Sequence, residues 1–368
     1  MSARRSRGLR SERVLASPQF RDGIFRNPRP VALGPRPGTR LGIGREYLFG
    51  GQTRRPPRPL PSASPLPGWA RPADTGLRAT WLGHSTVLLE LDGLRVLTDP
   101  VWSERISPLG VVAPRRFQPV PIPVEALPPL DAIVISHDHY DHLDRPTIEA
   151  LAARATARGT PFVAPIGVGG LLEAWGVPAA QIHELDWGEQ ATLRGGDLAI
   201  TATPSQHFSG RIGGSNRTLW ASMVIQTANR RVFFSGDTGL TPQFAEIAAR
   251  FAPFDLVMLE VGGFHPAWDH IHMGPAGALD ALRLLGGGPF LPVHWGTFNL
   301  ALHAWDWPAE TAISLAAEQR VELLMPRLGA PFEPARGLAL EPWWRVPGRG
   351  EVAPAPTPVP APAPARAS

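Results

Sequence analysis

Ten consecutive residues, Ile135-Ser136-His137-Asp138-His139-Tyr140-Asp141-His142-Leu143-Asp144, carry three imidazoles and three carboxylates. They follow directly on the apolar run Ala132-Ile133-Val134-Ile135. Neutral imidazole and carboxylate are the donors that suit zinc and related divalent ions. A strand that ends in a sharp loop can aim residues i, i+2, i+4 and i+5 at one centre. The spacing H-x-H-x-D-H therefore supplies two ligand pairs, His137 with His139 and Asp141 with His142. The chain contains no cysteine, so any ion must be held by nitrogen and oxygen alone. The spacing predicts a metal site, with enough donors for two ions.

Further donor residues each follow a predicted strand. His207 ends Thr203-Pro204-Ser205-Gln206-His207, after Leu198–Ala202. Asp237 lies in Ser235-Gly236-Asp237-Thr238-Gly239, after Val232-Phe233-Phe234. His294 follows Phe290-Leu291, and His265, His270 and His272 share a Gly/Pro-rich loop after Leu259. A lone histidine after a strand is more often a structural residue. The signal is the repetition of one arrangement.

The elements that must position these residues can be read from apolar periodicity. Thr80–Leu82, Val87–Leu91 and Leu94–Thr98 read as strands, the last two joined by an Asp92-Gly93 hairpin turn. Strand Ala132–Ile135 leads through the His-rich loop to a helix from Pro146 to about Ala157. Further strands fall near 161–164, 198–202, 221–226, 231–234, 255–259, 290–293 and 322–325. Helices fall near 242–251, 275–285 and 309–319. This alternation implies an α/β fold of mixed sheets covered by helices.

Taken together, the chain resembles the metallo-β-lactamase fold superfamily: H-x-H-x-D-H at His137–His142, then His207, Asp237 and His294. More narrowly, it is similar to the N-acyl-phosphatidylethanolamine-hydrolysing phospholipase D family and its bacterial relatives. That likeness rests on Trp81-Leu82-Gly83-His84, Leu97-Thr98-Asp99-Pro100, Leu127–Ala132, Thr203–His207, Gly236–Gly239, Pro253-Phe254-Asp255 and His294-Trp295-Gly296-Thr297-Phe298. These segments keep their order over roughly residues 79–330.

The resemblance implies a four-layer αββα sandwich, with two sheets face to face and helices outside. It implies two Zn²⁺, or another divalent transition metal, about 3.5–4 Å apart. One would take His137, His139 and His207, the other Asp141, His142 and His294, with Asp237 bridging. The implied reaction is attack of a metal-bridging hydroxide on phosphorus, releasing phosphatidate and an N-acylethanolamine. Asp141 would orient the water and His272 would contact the phosphate. Asp99 and His84 would brace the ligands. Trp268 and Trp295, with Trp102, Phe208 and Phe264, would wall an acyl groove. The alternative within enzymes is a lactonase for a phosphorylated sugar acid, which would need arginines there, such as Arg115, Arg116 or Arg211. An alternative of another class is a non-catalytic protein that binds anionic lipid or nucleic acid.

The 43% hydrophobic content allows a sizeable core. All 36 basic residues are arginine, and residues 1–60 hold 14 of them against Glu12, Asp22 and Glu46. Residues 1–75 read as an Arg/Pro-rich arm, 76–345 as the hydrolase domain, and 351–368 as a disordered Pro/Ala-rich tail. Within the arm, Phe20 and Phe25 could dock on the body. No run reaches the roughly 18 apolar residues of a membrane span, and Arg4-Arg5 lacks the apolar stretch of an export signal. The expectation is a cytoplasmic protein. Its substrate would be a small molecule or a phospholipid, with no nucleic-acid partner. Peripheral contact with a membrane stays open, and oligomeric state is not readable.

Overall fold

The computed structural model describes residues 3–31, 34–107 and 113–345; the expected Pro/Ala-rich tail at 351–368 lies outside the described residues. The chain opens with α1 (Ala3–Ala16), the hairpin β1 (Phe20–Arg21) and β2 (Ile24–Phe25), α2 (Arg40–Phe49) and the short α3 (Leu66–Trp69). A first half then runs β3 (Leu77–Gly83), β4 (Thr86–Leu91), β5 (Leu94–Thr98), β6 (Ala132–Val134), α4 (Arg145–Arg158), β7 (Phe162–Pro165), α5 (Gly169–Ala174) and β8 (Ile182–Leu185). The second half is β9 (Gln190–Leu193), β10 (Leu198–Thr203), the hairpin β11 (Gly210–Arg211) and β12 (Gly214–Ser215), β13 (Ser222–Gln226), β14 (Arg231–Phe234), α6 (Gln243–Phe251), β15 (Leu256–Glu260), α7 (Gly274–Leu284), β16 (Phe290–Val293), α8 (Trp307–Gln319) and β17 (Pro331–Phe332).

Two sheets result, in the orders β17-β3-β4-β5-β6-β7-β8 and β16-β15-β14-β13-β10-β9. Strand alternation assigns their faces. Val87, Leu89, Leu91, Val96, Ala132, Val134 and Val163 turn into the core shared with the second sheet. Their sequence neighbours Leu88, Leu97, Ile133 and Phe162 point the other way, onto Ile148, Leu151 and Ala155 of α4. Across the molecule, Phe244 and Ile247 of α6 and Leu279 of α7 cover the second sheet. The architecture is the four-layer αββα sandwich, with mixed sheets packed face to face. The β4–β5 turn uses Asp92 and Gly93 at φ 47° and 87°, the two positive angles of a tight hairpin turn.

Several elements differ from the sequence reading. Residues 322–325 form no strand: Leu323 makes a single bridge to Phe290. Strands β8, β9 and β17 were not anticipated, being short or edge elements with little apolar period. Helices α1 and α2 also lack such a period. α1 is held by charge, Arg10 reaching Glu173 at 3.3 Å and Glu184 at 2.7 Å. Parts of the N-terminal segment pack on the body. Phe25 is fully buried with Leu219 and Trp220, and Leu60 and Trp69 enter the two main cores.

Candidate metal centre

Strand direction explains why the donors meet. β5, β6, β7 and β8 run parallel, as do β14, β15 and β16. The antiparallel pairs β3–β4, β4–β5, β10–β13 and β13–β14 bring β3 and β10 into the same sense as these. Their carboxyl ends therefore share one edge, where ligands settle in open α/β sheets. Along it stand His84 after β3, Asp99 after β5, His137 after β6, His207 after β10, Asp237 after β14, Glu260 ending β15 and His294 after β16. His84, Asp99 and His294 adopt φ of 54°, 32° and 62°. Such left-handed backbone costs on the order of 1–3 kcal/mol each and gathers at functional sites. Gly236 at φ 55° is needed for approach, since a Cβ there would lie 2.6 Å from that of Ser136.

The donors form two clusters with a shared member. His139 Nδ1 lies 2.8 Å from His137 Nε2 and 3.3 Å from His207 Nε2. Asp237 Oδ2 lies 3.8 and 3.7 Å from those two Nε2 atoms. The same oxygen is 3.1 Å from both His142 Nε2 and His294 Nε2. Those two nitrogens stand 3.5 and 3.4 Å from Asp141 Oδ2. The donor atoms of His137, His139, His207 and Asp237 lie within 4.8 Å of one another, as do those of Asp141, His142 and His294 together with His84. Asp237 Oδ1, His142 Nε2 and His294 Nε2 are buried without a hydrogen-bond partner. Buried polar atoms left so are costly unless something satisfies them. A pair of cations would.

A surrounding ring of hydrogen bonds aims the imidazoles. Asp99 Oδ2 accepts from His142 Nδ1 at 2.7 Å and from Ser136 Oγ at 2.5 Å. His207 Nδ1 donates to the Ile271 carbonyl at 2.9 Å. Each contact leaves the opposite nitrogen facing the cluster, the usual way a ligand tautomer is set. His84 Nε2 is 3.0 Å from Asp141 Oδ2, so His84 braces a donor directly. Two residues were missed by sequence reasoning. Glu260 accepts from His272 Nδ1 at 2.7 Å, and its only signal is an acid closing an apolar strand. Asn27, far away in sequence, accepts from His207 N–H at 3.1 Å and donates to the His207 carbonyl at 2.7 Å.

Charge within the centre is polarised. Burial pushes Asp237 and Asp141 upward, but His142 and, beside it, His294 outweigh it and hold both carboxyls well below their usual range. Against the same desolvation, Asp237 and Asp141 keep His142 well above its ordinary value and raise His294 to about 10. Desolvation prevails at His137, His139 and His207, all lowered, and takes His84 down to about 3. Ionised carboxylates thus attract positive charge to Nε2 of His142 and His294.

The remaining expected residues divide. His272 sits with its ring 5.1 Å from that of His207 and 5.3 Å from that of His294, on the flank of both clusters. Trp268 forms the turn that presents it, its own Nε1 bonded to Gly263 O at 2.7 Å and its ring 4.6 Å from His265. Trp295 is a correction: it is 3% exposed and stacks on Trp81 at 5.2 Å. Its indole belongs to the core, not to a substrate wall. Trp102 likewise packs beneath α4 and donates to Ile122 O. Phe208 does face the centre, 4.6 Å from His139. The three candidate arginines are engaged elsewhere. Arg211 donates to the carbonyls of Asp138 and Leu143, Arg116 donates to Val101 O, and Arg115 pairs with Glu104.

Comparison with known proteins agrees with this geometry. A family profile described as Beta-lactamase superfamily domain matches residues 94–295. An uncharacterized protein of Mycobacterium tuberculosis is 45% identical over 335 residues, 90% of this chain and 88% of that one. The N-acyl-phosphatidylethanolamine-hydrolyzing phospholipase D 1 of Caenorhabditis elegans is 36% identical over 238 residues, 62% of this chain and 66% of the worm protein. A metallo hydrolase from Ignicoccus hospitalis superposes with a TM-score of 0.52 at 25% identity, over 70% of this chain and 98% of its own. No helix among the described residues is long and apolar enough to cross a membrane. The chain belongs to the metallo-β-lactamase superfamily and is one of its metal-dependent hydrolases.

Proposed function

We propose that the centre hydrolyses a phosphodiester of the N-acyl-phosphatidylethanolamine kind with two zinc ions. His137, His139 and His207 would hold one ion, Asp141, His142 and His294 the other, and Asp237 both. The observation that carries this reading is Asp237 Oδ2, common to two clusters whose outer imidazoles both border His272. Two ions so held would supply an activated water near neutral pH and would draw charge from phosphoryl oxygens.

The protein's own groups do the rest. Asp141, anchored by His84, orients the attacking water and takes its hydrogen bond. His272 directs Nδ1–H to Glu260, which leaves Nε2 for a phosphoryl oxygen. Although burial opposes it, the Glu260 carboxylate holds His272 above its ordinary value, which favours a proton on Nε2. A protonated imidazole there would stabilise developing negative charge in a water-poor site. As the oxygen–phosphorus bond forms, the bond to the N-acylethanolamine oxygen breaks; the proton that the attacking water gives up to Asp141 passes to that leaving oxygen, directly or through solvent.

Two observations favour this over a phosphorylated sugar lactone. Arg115, Arg116 and Arg211 are committed to other partners, and Phe208 is set beside the ligands. The named activity of the worm relative points the same way. The test is turnover by the zinc-loaded protein of N-acyl-phosphatidylethanolamine, simple phosphodiesters and lactones. Release of phosphatidate and N-acylethanolamine is expected; hydrolysis of lactones alone would overturn the reading.

A further inference from the structure

Helix α2 buries none of its residues. Leu41, Tyr47, Leu48 and Phe49 are 87, 64, 70 and 78% exposed, four of the ten large apolar side chains exposed among the described residues. Exposed apolar groups concentrated in this way mark a surface that meets a partner. Cations accompany them: Arg40 and Arg45 within the helix and Arg55 and Arg58 beyond it are exposed. Residues 35–59 contain one acid, Glu46, and it lies 2.9 Å from His265 Nε2.

The helix is fixed beside the centre by its flanks. The Arg36 backbone N–H donates to Ala267 O at 2.7 Å, and its guanidinium pairs with Asp269. The loop thus gripped is the one that delivers His272. On the other side, Trp305 N–H donates to Thr53 O at 3.0 Å, and Arg54 lines one cavity with His294. Patch and centre therefore open on neighbouring parts of the same face.

We infer that α2 and its flanking arginines form a docking surface for an anionic lipid bilayer, laid in the headgroup plane next to the centre. Apolar tips interleaved with cations suit an interface that offers acyl chains and negative headgroups together. No amphipathic period is needed, because α2 buries none of its residues against the protein. A second copy fits less well, since a two-fold contact would set this arginine-rich patch against itself. Nucleic acid fits less well too, because Leu41 and Leu48 would be pressed against phosphates. This deepens the phospholipid reading by naming where a bilayer-borne substrate is met, yet binding and turnover can be read separately.

The experiment is cosedimentation of the zinc-loaded full chain with vesicles of phosphatidylcholine, with and without phosphatidylglycerol. Binding is expected only with phosphatidylglycerol and should weaken at least tenfold at high salt. Leu48→Ser/Phe49→Ser and Arg40→Glu/Arg45→Glu should each lose binding at least tenfold. Both should keep their melting temperature and their rate on a soluble aryl phosphodiester. Wild-type protein that ignores anionic vesicles would overturn the inference, as would variants that bind unchanged. A wild-type dimer that these substitutions split, without vesicle binding, would assign the patch to a second copy instead. Loss of the soluble activity in wild type would count against the hydrolytic reading, not the docking surface.

Discussion

Asn27 brackets the backbone of His207, its amide oxygen accepting from the N–H and its amide nitrogen donating to the carbonyl. The same oxygen accepts from Trp220 Nε1 at 3.2 Å. A residue 180 positions away thus fixes the backbone from which an imidazole reaches into the first cluster. Asn27→Ala should weaken binding of one ion on the order of 10–100-fold, the size of lost outer contacts. The other ion should be nearly unaffected. Competition against a chromophoric chelator would resolve the two, and equal weakening of both would refute a local role.

Asp99 is the counterpart on the second cluster. It accepts from His142 Nδ1, Ser136 Oγ and Ser136 N–H. Asp99→Ala strands several buried donors at once and should lower stability by about 3–5 kcal/mol. Ser136→Ala removes one donor and should cost about 1 kcal/mol. Denaturant unfolding of the metal-loaded proteins would measure both. A milder effect at Asp99 than at Ser136 would show that the carboxylate is not the hub of this network.

Much of this was legible in sequence where local pattern and strand direction agree. The His137–His142 spacing, and single donors after β10, β14 and β16, needed only a strand to end and a loop to begin. Strands β4, β6 and β7 are buried on both faces, so their apolar runs located them without telling which side chains face which layer. What could not be read depends on contacts between distant segments. Asn27 carries no periodic signal, and Glu260 looks like the end of any strand. Trp295 sits next to a donor, but the turn at His294 sends its ring back onto Trp81. α2 lacked an apolar stripe because it presents none to the protein.

Protons and metal ions compete at His294. In the folded metal-free state its value is about 10, raised from 6.5 against desolvation by Asp237 and Asp141. The stability this proton lends is fully present below about 6.5 and is lost as pH rises through about 10. An ion that takes Nε2 must displace it, so binding should release protons and affinity should climb from neutral pH toward 10. Calorimetry in buffers of different ionisation enthalpy would count the protons. Binding that releases none at pH 7 would contradict the assignment of His294 as a ligand.

Trp295 tests the boundary between core and substrate wall. Its ring packs on Trp81 at 5.2 Å and near Trp344 at 5.2 Å. Trp295→Ala should cost about 3–5 kcal/mol, as loss of a large buried aromatic does, while KM changes little at temperatures where the variant stays folded. A KM raised tenfold at unchanged stability would return the indole to the substrate.

His272 and Glu260 separate chemistry from metal binding. His272→Ala should retain two ions yet lose roughly 10²–10⁴ in kcat, the range of a positioned acid or base. Glu260→Gln keeps the hydrogen-bonding shape but removes the charge that raises His272. The imidazole should then give up its proton at lower pH. If Nε2 must be protonated for turnover, the alkaline limb of the kcat profile moves to lower pH in Glu260→Gln. In His272→Ala that limb should vanish. An alkaline limb unmoved by Glu260→Gln would mean that the titrating group lies elsewhere, and His272 would then act by position alone.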